Sequence, residues 1–305
     1  MATILVTGSS GFIGRHLVPH LRSRGHVVVE TGRASGNMSE GFWPLPAIGP
    51  QTDWAGLLGD IDCVVHLAGL AHRAASDEQF FSVNDGGTRR LAEACHGSPV
   101  RNFVFLSSIA ARRAEASPDR SNAYALSKLW AELHVTELMQ KDAMSFTILR
   151  PPLVYGHDAP GNWQRLQRLA VTPLPLPFGA VRHRRSLCSV GNLCSAIAAA
   201  VEAGLQVRHC GIYEIADAEP ISLAEAVTWL REGMGRSPRL LPVPPPLLRA
   251  ALGAVGRKKL AESLLDDLVL DPAPFMQAFG WTQPENAEEA VRESGRLFMQ
   301  SRSGD

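Results

Sequence analysis

The chain has 305 residues, 45% hydrophobic and 20% charged, with 30 basic and 30 acidic side chains and a formal charge of zero. That is enough for one large or two modest domains with a buried core, and the neutral balance argues against a nucleic-acid binder. The chain has no run of ~18 apolar residues and no signal-peptide pattern, so a cytoplasmic protein without membrane insertion is expected.

Thr3 to Thr7 is a short apolar, β-branched run that reads as a buried parallel strand. It passes straight into Gly8-Ser9-Ser10-Gly11-Phe12-Ile13-Gly14, and Ile13, Leu17 and Leu21 then recur at helical spacing. Gly8 permits a tight turn, Gly11 lets backbone amides approach a pyrophosphate, and Gly14 lets helix and strand pack closely. A glycine loop between a strand and a helix is a dinucleotide-binding signal, with the helix N-terminus facing the phosphates. Pro19 should kink that helix or sit where its missing N–H matters little.

Four more short apolar runs follow, His26 to Glu30, Cys63 to Leu67, Asn102 to Leu106 and Ser145 to Leu149, with helical patterns between them. This alternation predicts an α/β fold with a doubly wound parallel sheet. In the helix former-rich stretch from Ala123 to Met139, Tyr124 and Lys128 lie four residues apart and share one face. An amine near a phenol lowers the phenol's pKa, which suits Tyr124 to exchange a proton with a sugar or alcohol oxygen. The plain alternative is a Tyr and a Lys on a surface helix.

After Arg150-Pro151-Pro152 the texture changes, with proline-rich and basic segments at 173–185 and 242–246. A helix at 192–203 and a strand at 212–215 read as a return to the main sheet. The expected division is therefore 1–155 with about 186–218 as the dinucleotide domain, and 156–185 with 219–305 as a smaller, discontinuous substrate lobe. The five cysteines have no CxxC spacing and the ten histidines no HExxH, so neither disulfides nor a metal site is expected.

The motifs together resemble the extended short-chain dehydrogenases that act on nucleotide sugars: epimerases, dehydratases and ketoreductases. The resemblance rests on the glycine loop, on Tyr124 to Lys128, and on His66-Leu67-Ala68-Gly69. It rests equally on Val83-Asn84 with Gly87-Thr88, Leu106-Ser107-Ser108 and Leu149-Arg150-Pro151-Pro152-Leu153-Val154-Tyr155-Gly156. It implies a Rossmann-type domain and a Ser108-Tyr124-Lys128 triad, Lys128 also bonding the nicotinamide ribose. It further implies that Gly8, Ser10, Gly11, Phe12, Ile13, Gly14, Leu67, Ala68, Gly69, Asn84, Pro151 and Val154 line the cofactor. Ser107, Asn162 and Arg185 are implied substrate contacts, the last two on the diphosphate. Related enzymes commonly dimerise through a helix pair, which here falls on Leu91 to Cys95 and Leu129 to Met139.

The second strand ends Glu30-Thr31-Gly32-Arg33. The family's ribose-binding acid falls on Gly32 and is followed by Arg33, whose guanidinium suits a 2′-phosphate, so NADP(H) is favoured over NAD(H). The basic run Arg182 to Arg185 has a solvated loop face as its plain alternative. Ser108 is followed by Ile109-Ala110 rather than the Asp-Glu pair of a 4,6-dehydratase. The preferred expectation is an NADPH-dependent 4-ketoreductase of a UDP-linked 2-acetamido-2,6-dideoxy-4-hexulose. The alternatives are a UDP-hexose 4-epimerase with bound NAD and a non-catalytic NADP(H)-binding regulator.

Overall fold

The computed structural model describes residues 1–32, 41–45, 47–54, 56–71, 75–141, 144–254, 256 and 258–303. In chain order the first elements are β1 (Thr3–Thr7), α1 (Phe12–Ser23), β2 (Val27–Gly32), β3 (Phe42–Pro44) and β4 (Cys63–His66). They continue with α2 (Asp77–Phe80), a π-helix (Phe81–Gly86), α3 (Gly87–Cys95), β5 (Asn102–Leu106), α4 (Ile109–Ala116), α5 (Ala123–Lys141) and β6 (Ser145–Arg150). Then come β7 (Leu153–Tyr155), α6 (Asn162–Val171), β8 (Arg184–Arg185), β9 (Leu187–Ser189), α7 (Val190–Gln206), β10 (Cys210–Glu214) and β11 (Ile221–Ser222). The last are α8 (Leu223–Gly233), α9 (Pro245–Ala254), α10 (Lys258–Leu265), α11 (Ala273–Phe279) and α12 (Ala287–Ser303).

Seven strands form one sheet in the order β10-β6-β5-β4-β1-β2-β3, every pairing parallel. This is the expected doubly wound sheet. Strand order reverses between β1 and β4, so the crevice where ligands of such sheets bind opens at the carboxyl ends of these two strands. β2 runs two residues past the expected Glu30: Thr31 pairs with Thr7 of β1, and β3, which the sequence did not announce, pairs Trp43 with Thr31 and Pro44 with Gly32. α1 stays continuous through Pro19, which lies on its exposed face.

The chain divides into two compact units. The first comprises Met1–Pro152, Leu193–Ile215 and Pro272–Thr282. Its core packs Leu5, Val64, Phe103, Phe105 and Ile148 of the sheet against Leu91, Val135 and Met139 of the helices. Leu91 and Met139, placed by the resemblance at a dimer face, are thus interior, and Trp130 and Leu133 are the exposed apolar residues of α5. Buried Asn102 at the start of β5 donates to the carbonyls of Ala200 (3.0 Å) and Val201 (3.2 Å) near the end of α7. A Cβ on Gly204 would stand 2.4 Å from that amide, so only glycine lets the helix approach. All five cysteines are free thiols; four are buried, and Cys210 on the edge strand is exposed.

The second unit comprises Leu153–Asn192, Ala216–Asp271 and Gln283–Asp305. Here α8 and α12 pack closely, because a Cβ on Gly233 or Gly295 would meet the partner backbone at 1.9 and 2.4 Å. Asp217, 3% exposed, accepts from Ser189 N (2.9 Å) and Asn192 Nδ2 (2.8 Å), while Glu285 accepts from the Ser189 hydroxyl (2.5 Å). Burial pushes the Asp217 carboxyl up to about 6, against its hydrogen bonds. A carboxyl raised in the folded state stabilises fully below its unfolded value near ~3.9 and loses that contribution as pH rises through 6. Asp217→Asn should therefore gain on the wild type by up to about 3 kcal/mol between pH 4 and pH 7, at ~1.4 kcal/mol per unit. Urea denaturation at both pH values checks this, and a pH-independent difference contradicts it. Among the described residues no helix is long and apolar enough to cross a membrane.

Candidate active site

The loop after β1 has the contour that its glycines require. Gly8 adopts φ +71°, and a Cβ there would stand 2.9 Å from Ala68 N. A Cβ on Gly14 would lie 2.4 Å from Ser9 O, so the helix can pass this close to the loop only without a side chain. Gly11 is the N-cap of α1 and no side chain caps it. The first-turn amides of Phe12, Ile13 and Gly14 therefore sit at the positive end of the helix without a capping acceptor. Donors and contour fit the pyrophosphate of a dinucleotide. At the end of β2, Glu30 pairs with Arg22 of α1 at 2.9 Å, and the strand closes on Gly32, where a Cβ would be 3.0 Å from Ser10 Oγ. Arg33, expected to meet a 2′-phosphate, lies outside the described residues.

At the end of β4 a buried polar chain fixes the geometry. The Thr88 hydroxyl donates to Asn84 O (2.6 Å), so toward His66 Nε2 (3.0 Å) it accepts. His66 is therefore the Nε2–H tautomer, and its bare Nδ1 accepts from the Thr7 hydroxyl at 2.7 Å. Thr7 Oγ1 in turn accepts Ala68 N at 3.2 Å. Burial first, then the neighbouring Lys128 charge, pushes His66 down to about 3, which keeps it neutral. Asn84, on the π-helix, accepts from Leu70 N (2.7 Å) and donates to Leu70 O (3.0 Å) and Ser127 Oγ (3.1 Å). A Cβ on Gly69 would lie 3.0 Å from Asn84 Oδ1 and 3.9 Å from Lys128 Nζ, so Gly69, Asn84 and Lys128 surround one spot.

Ser108, Tyr124 and Lys128 all belong to the first unit. Ser108 follows β5 and caps α4, accepting Ala110 N at 3.2 Å, and its hydroxyl is near enough to the Tyr124 phenol to act on it. The plain role of strand-end cap and the suspected one thus coexist in one hydroxyl. Asn122 opens α5 by accepting Ala125 N at 2.9 Å, which places Tyr124 in the first turn and Lys128 on the buried face. Lys128 Nζ donates to Leu106 O at 2.7 Å and lies 4.3 Å over the Phe105 ring. Burial pushes the ammonium down to about 8, against the pull of Glu132. The sequence predicts that Lys128 lowers the phenol's pKa. Here burial raises it and the Ser108 hydroxyl offsets part of that rise, because Lys128 directs its amine to a carbonyl.

The remaining predicted residues divide. Leu67 N donates to Thr7 O (3.3 Å), and Pro151 O accepts Ile109 N (3.0 Å) beside the triad. Ser107 turns its hydroxyl to the Glu132 carboxylate. Val154 on β7, Asn162 and Arg185 belong to the second unit. Asn162 opens α6 after Gly161 (φ +76°) and is exposed. Arg185 donates to Asp266 O at 2.5 Å, while Arg184 pairs with Glu225 at 2.6 Å. The buried partners Glu132 and Arg150 were not foreseen, although the step of four from Lys128 to Glu132 on a buried helical face was readable.

Residues 4–216 match the NAD dependent epimerase/dehydratase family. Over 98% of this chain and 96% of the relative's length, the sequence is 28% identical to the UDP-glucose 4-epimerase of Vibrio cholerae. It is 33% identical to the UDP-2-acetamido-2,6-beta-L-arabino-hexul-4-ose reductase of Pseudomonas aeruginosa, over 53% of this chain and 37% of that protein. The fold matches the crystal structure of UDP-N-acetylglucosamine 4-epimerase from Bacillus cereus with a TM-score of 0.78 at 21% identity, covering 98% of this chain and 99% of that one.

Proposed function

The chain belongs to the NAD dependent epimerase/dehydratase family, and from that premise we propose that it reduces the C4 ketone of a UDP-linked 2-acetamido-2,6-dideoxy-4-hexulose. It is an NAD(P)-dependent oxidoreductase of the extended short-chain type. NADPH, when bound, supplies the hydride that reaches C4. The glycine loop and the open first turn of α1 would hold its pyrophosphate, and the Lys128 ammonium would hold the nicotinamide ribose. Ser108 orients the sugar O4, and the Tyr124 hydroxyl delivers the proton that turns the nascent alkoxide into an alcohol. Asn162 and Arg185 are the proposed diphosphate contacts in the second unit, and the exposed Trp130 and Leu133 of α5 the proposed face of a homodimer.

One observation carries this reading: the Tyr124 phenol stands in the first turn of the helix that also buries the Lys128 amine, and burial holds it above its ordinary pKa. The neutral phenol can give its proton to the alkoxide that forms at O4. Glu30 is engaged by Arg22 and β2 ends on Gly32, which favours NADPH over NADH. Arg33→Ala should weaken NADPH by about 1.5 to 3 kcal/mol and leave NADH nearly unchanged, as calorimetry on both cofactors would show. Equal losses would reduce Arg33 to a loop charge.

A second reading, UDP-hexose 4-epimerase with retained NAD, is favoured by the near full-length match to the Vibrio cholerae enzyme. The deciding experiment is to purify the protein without added cofactor, then offer it the UDP-4-keto sugar with NADPH and, separately, UDP-glucose and UDP-N-acetylglucosamine alone. NADPH consumption on the keto sugar supports the reductase. Tightly held NAD and interconversion of C4 epimers without added cofactor would replace it with the epimerase.

A further inference from the structure

Behind Ser108 and Tyr124 lies a group of buried charges that no step of the proposed reduction uses. Glu132 stands one helical turn beyond Lys128 on α5, its side chain 1% exposed. Its carboxylate accepts Arg150 Nε at 3.0 and 3.1 Å, Arg150 Nη2 at 2.5 Å, and the hydroxyl of Ser107, the residue before Ser108. Arg150, at the end of β6 with its side chain 8% exposed, turns Nη1 to Glu115 of α4 at 3.0 Å. The ends of β5 and β6 and the helix that carries Tyr124 and Lys128 thus converge on one carboxylate.

Stability alone does not account for such a pair, since taking two charges out of water can cost more than their attraction returns. The neighbouring amine does. Lys128 Nζ has the Leu106 carbonyl and the Phe105 ring as near contacts, neither of which carries a charge. A buried ammonium without a counter-charge gives up its proton. The titratable groups around it are Tyr124 and Glu132 on its own helix and His66 on β4, with Arg150 and Glu115 reached through Glu132. The π-helix packed on α5 adds Asp85, which pairs with His134 at 3.1 Å. His66 is neutral, as its hydrogen bonds require, and a helical step of four puts Glu132 on the face of Lys128.

We propose that Glu132 is a positioning residue of the dinucleotide site, the clamped counter-charge that keeps the buried Lys128 amine an ammonium. This rests on the reading of Lys128 as the amine that meets the nicotinamide ribose. Burial alone drives Lys128 down and Glu132 acts in the opposite sense, in agreement with the geometry.

The chain suits a direct test, because it has four lysines, Lys128, Lys141, Lys258 and Lys259. Carbon-13 at the lysine Cε gives four resonances to follow by NMR against pH. The wild type should show one titrating near 8, missing from Lys128→Met. In Glu132→Gln its midpoint should fall by about one pH unit or more, while Lys141, on a surface pair with Glu137, keeps its own. The NADPH dissociation constant of Glu132→Gln should be within about twofold of wild type near pH 6 and about tenfold weaker near pH 8.5. Should Glu132→Gln fail to fold with Arg150 left uncompensated, Glu132→Gln/Arg150→Met removes both charges, and the midpoint should still fall. An unchanged Lys128 midpoint in a folded variant overturns the proposal. Full NADPH affinity in Lys128→Met overturns the reading of Lys128 instead, and with it any action of Glu132 on the dinucleotide.

Discussion

Tyr124→Phe should lower turnover by ~10²-fold or more and leave dinucleotide affinity nearly unchanged, since proton transfer by a positioned side chain contributes ~10² to 10⁴. The substitution is clean for structural reasons. Ser108 keeps its bond to Ala110 N and so stays in place, and the new ring keeps its edge contact with Phe80, 5.8 Å between centroids. What disappears is the hydroxyl and the proton it carries. Steady-state rates beside a calorimetric cofactor titration separate the two effects. Near wild-type turnover would remove Tyr124 from the chemistry, and a matching loss of cofactor affinity would show that the phenol holds the dinucleotide rather than the proton.

Arg150→Met should destabilise the protein by about 3 to 5 kcal/mol, the usual cost of breaking a buried ion pair from one side. Glu132 would keep the Ser107 hydroxyl but lose three close contacts from the guanidinium inside the core. With domains ordinarily stable by ~5 to 15 kcal/mol, that is a large share of the total. Glu115→Gln, which removes Arg150's surface partner, should cost under about 1 kcal/mol, because Glu115 is 59% exposed and solvent screens the pair. Urea denaturation of both variants gives the comparison. A loss below about 1 kcal/mol for Arg150→Met would mean that water or relaxation already compensates Glu132.

The sheet was legible in the sequence because its strands are buried on both faces. Thr3 to Thr7, Cys63 to His66, Asn102 to Leu106 and Ser145 to Arg150 need apolar, β-branched runs, and such runs are visible without tertiary information. The glycine loop was legible for a sharper reason, since Gly8 and Gly14 sit where a Cβ would strike backbone. β3 stayed hidden: three residues, Phe42–Pro44, hold an edge through β2 alone and carry no periodic signal. The direction of the Tyr124 shift was hidden too, because helical spacing puts Lys128 on the phenol's face but does not reveal that its amine donates to Leu106 O instead. Glu132 and Arg150, eighteen residues apart in sequence, become partners only once β6 lies beside β5.

The discontinuity of the first unit reaches back to the time of synthesis. When Arg150 leaves the ribosome, the neighbour of β6 on one side, β5, has already been made, but the strand for its other edge, Cys210–Glu214, has not. At ~5 to 20 residues per second, the ~60 intervening residues leave that apolar edge bare for roughly 3 to 12 s. A bare edge of this kind is a template for pairing with another nascent chain. The interval from β6 to β10 is therefore one of exposure to mispairing. Slow codons between positions 150 and 210 should lower its soluble yield, whereas the same codons after position 282, beyond the last segment of that unit, should not.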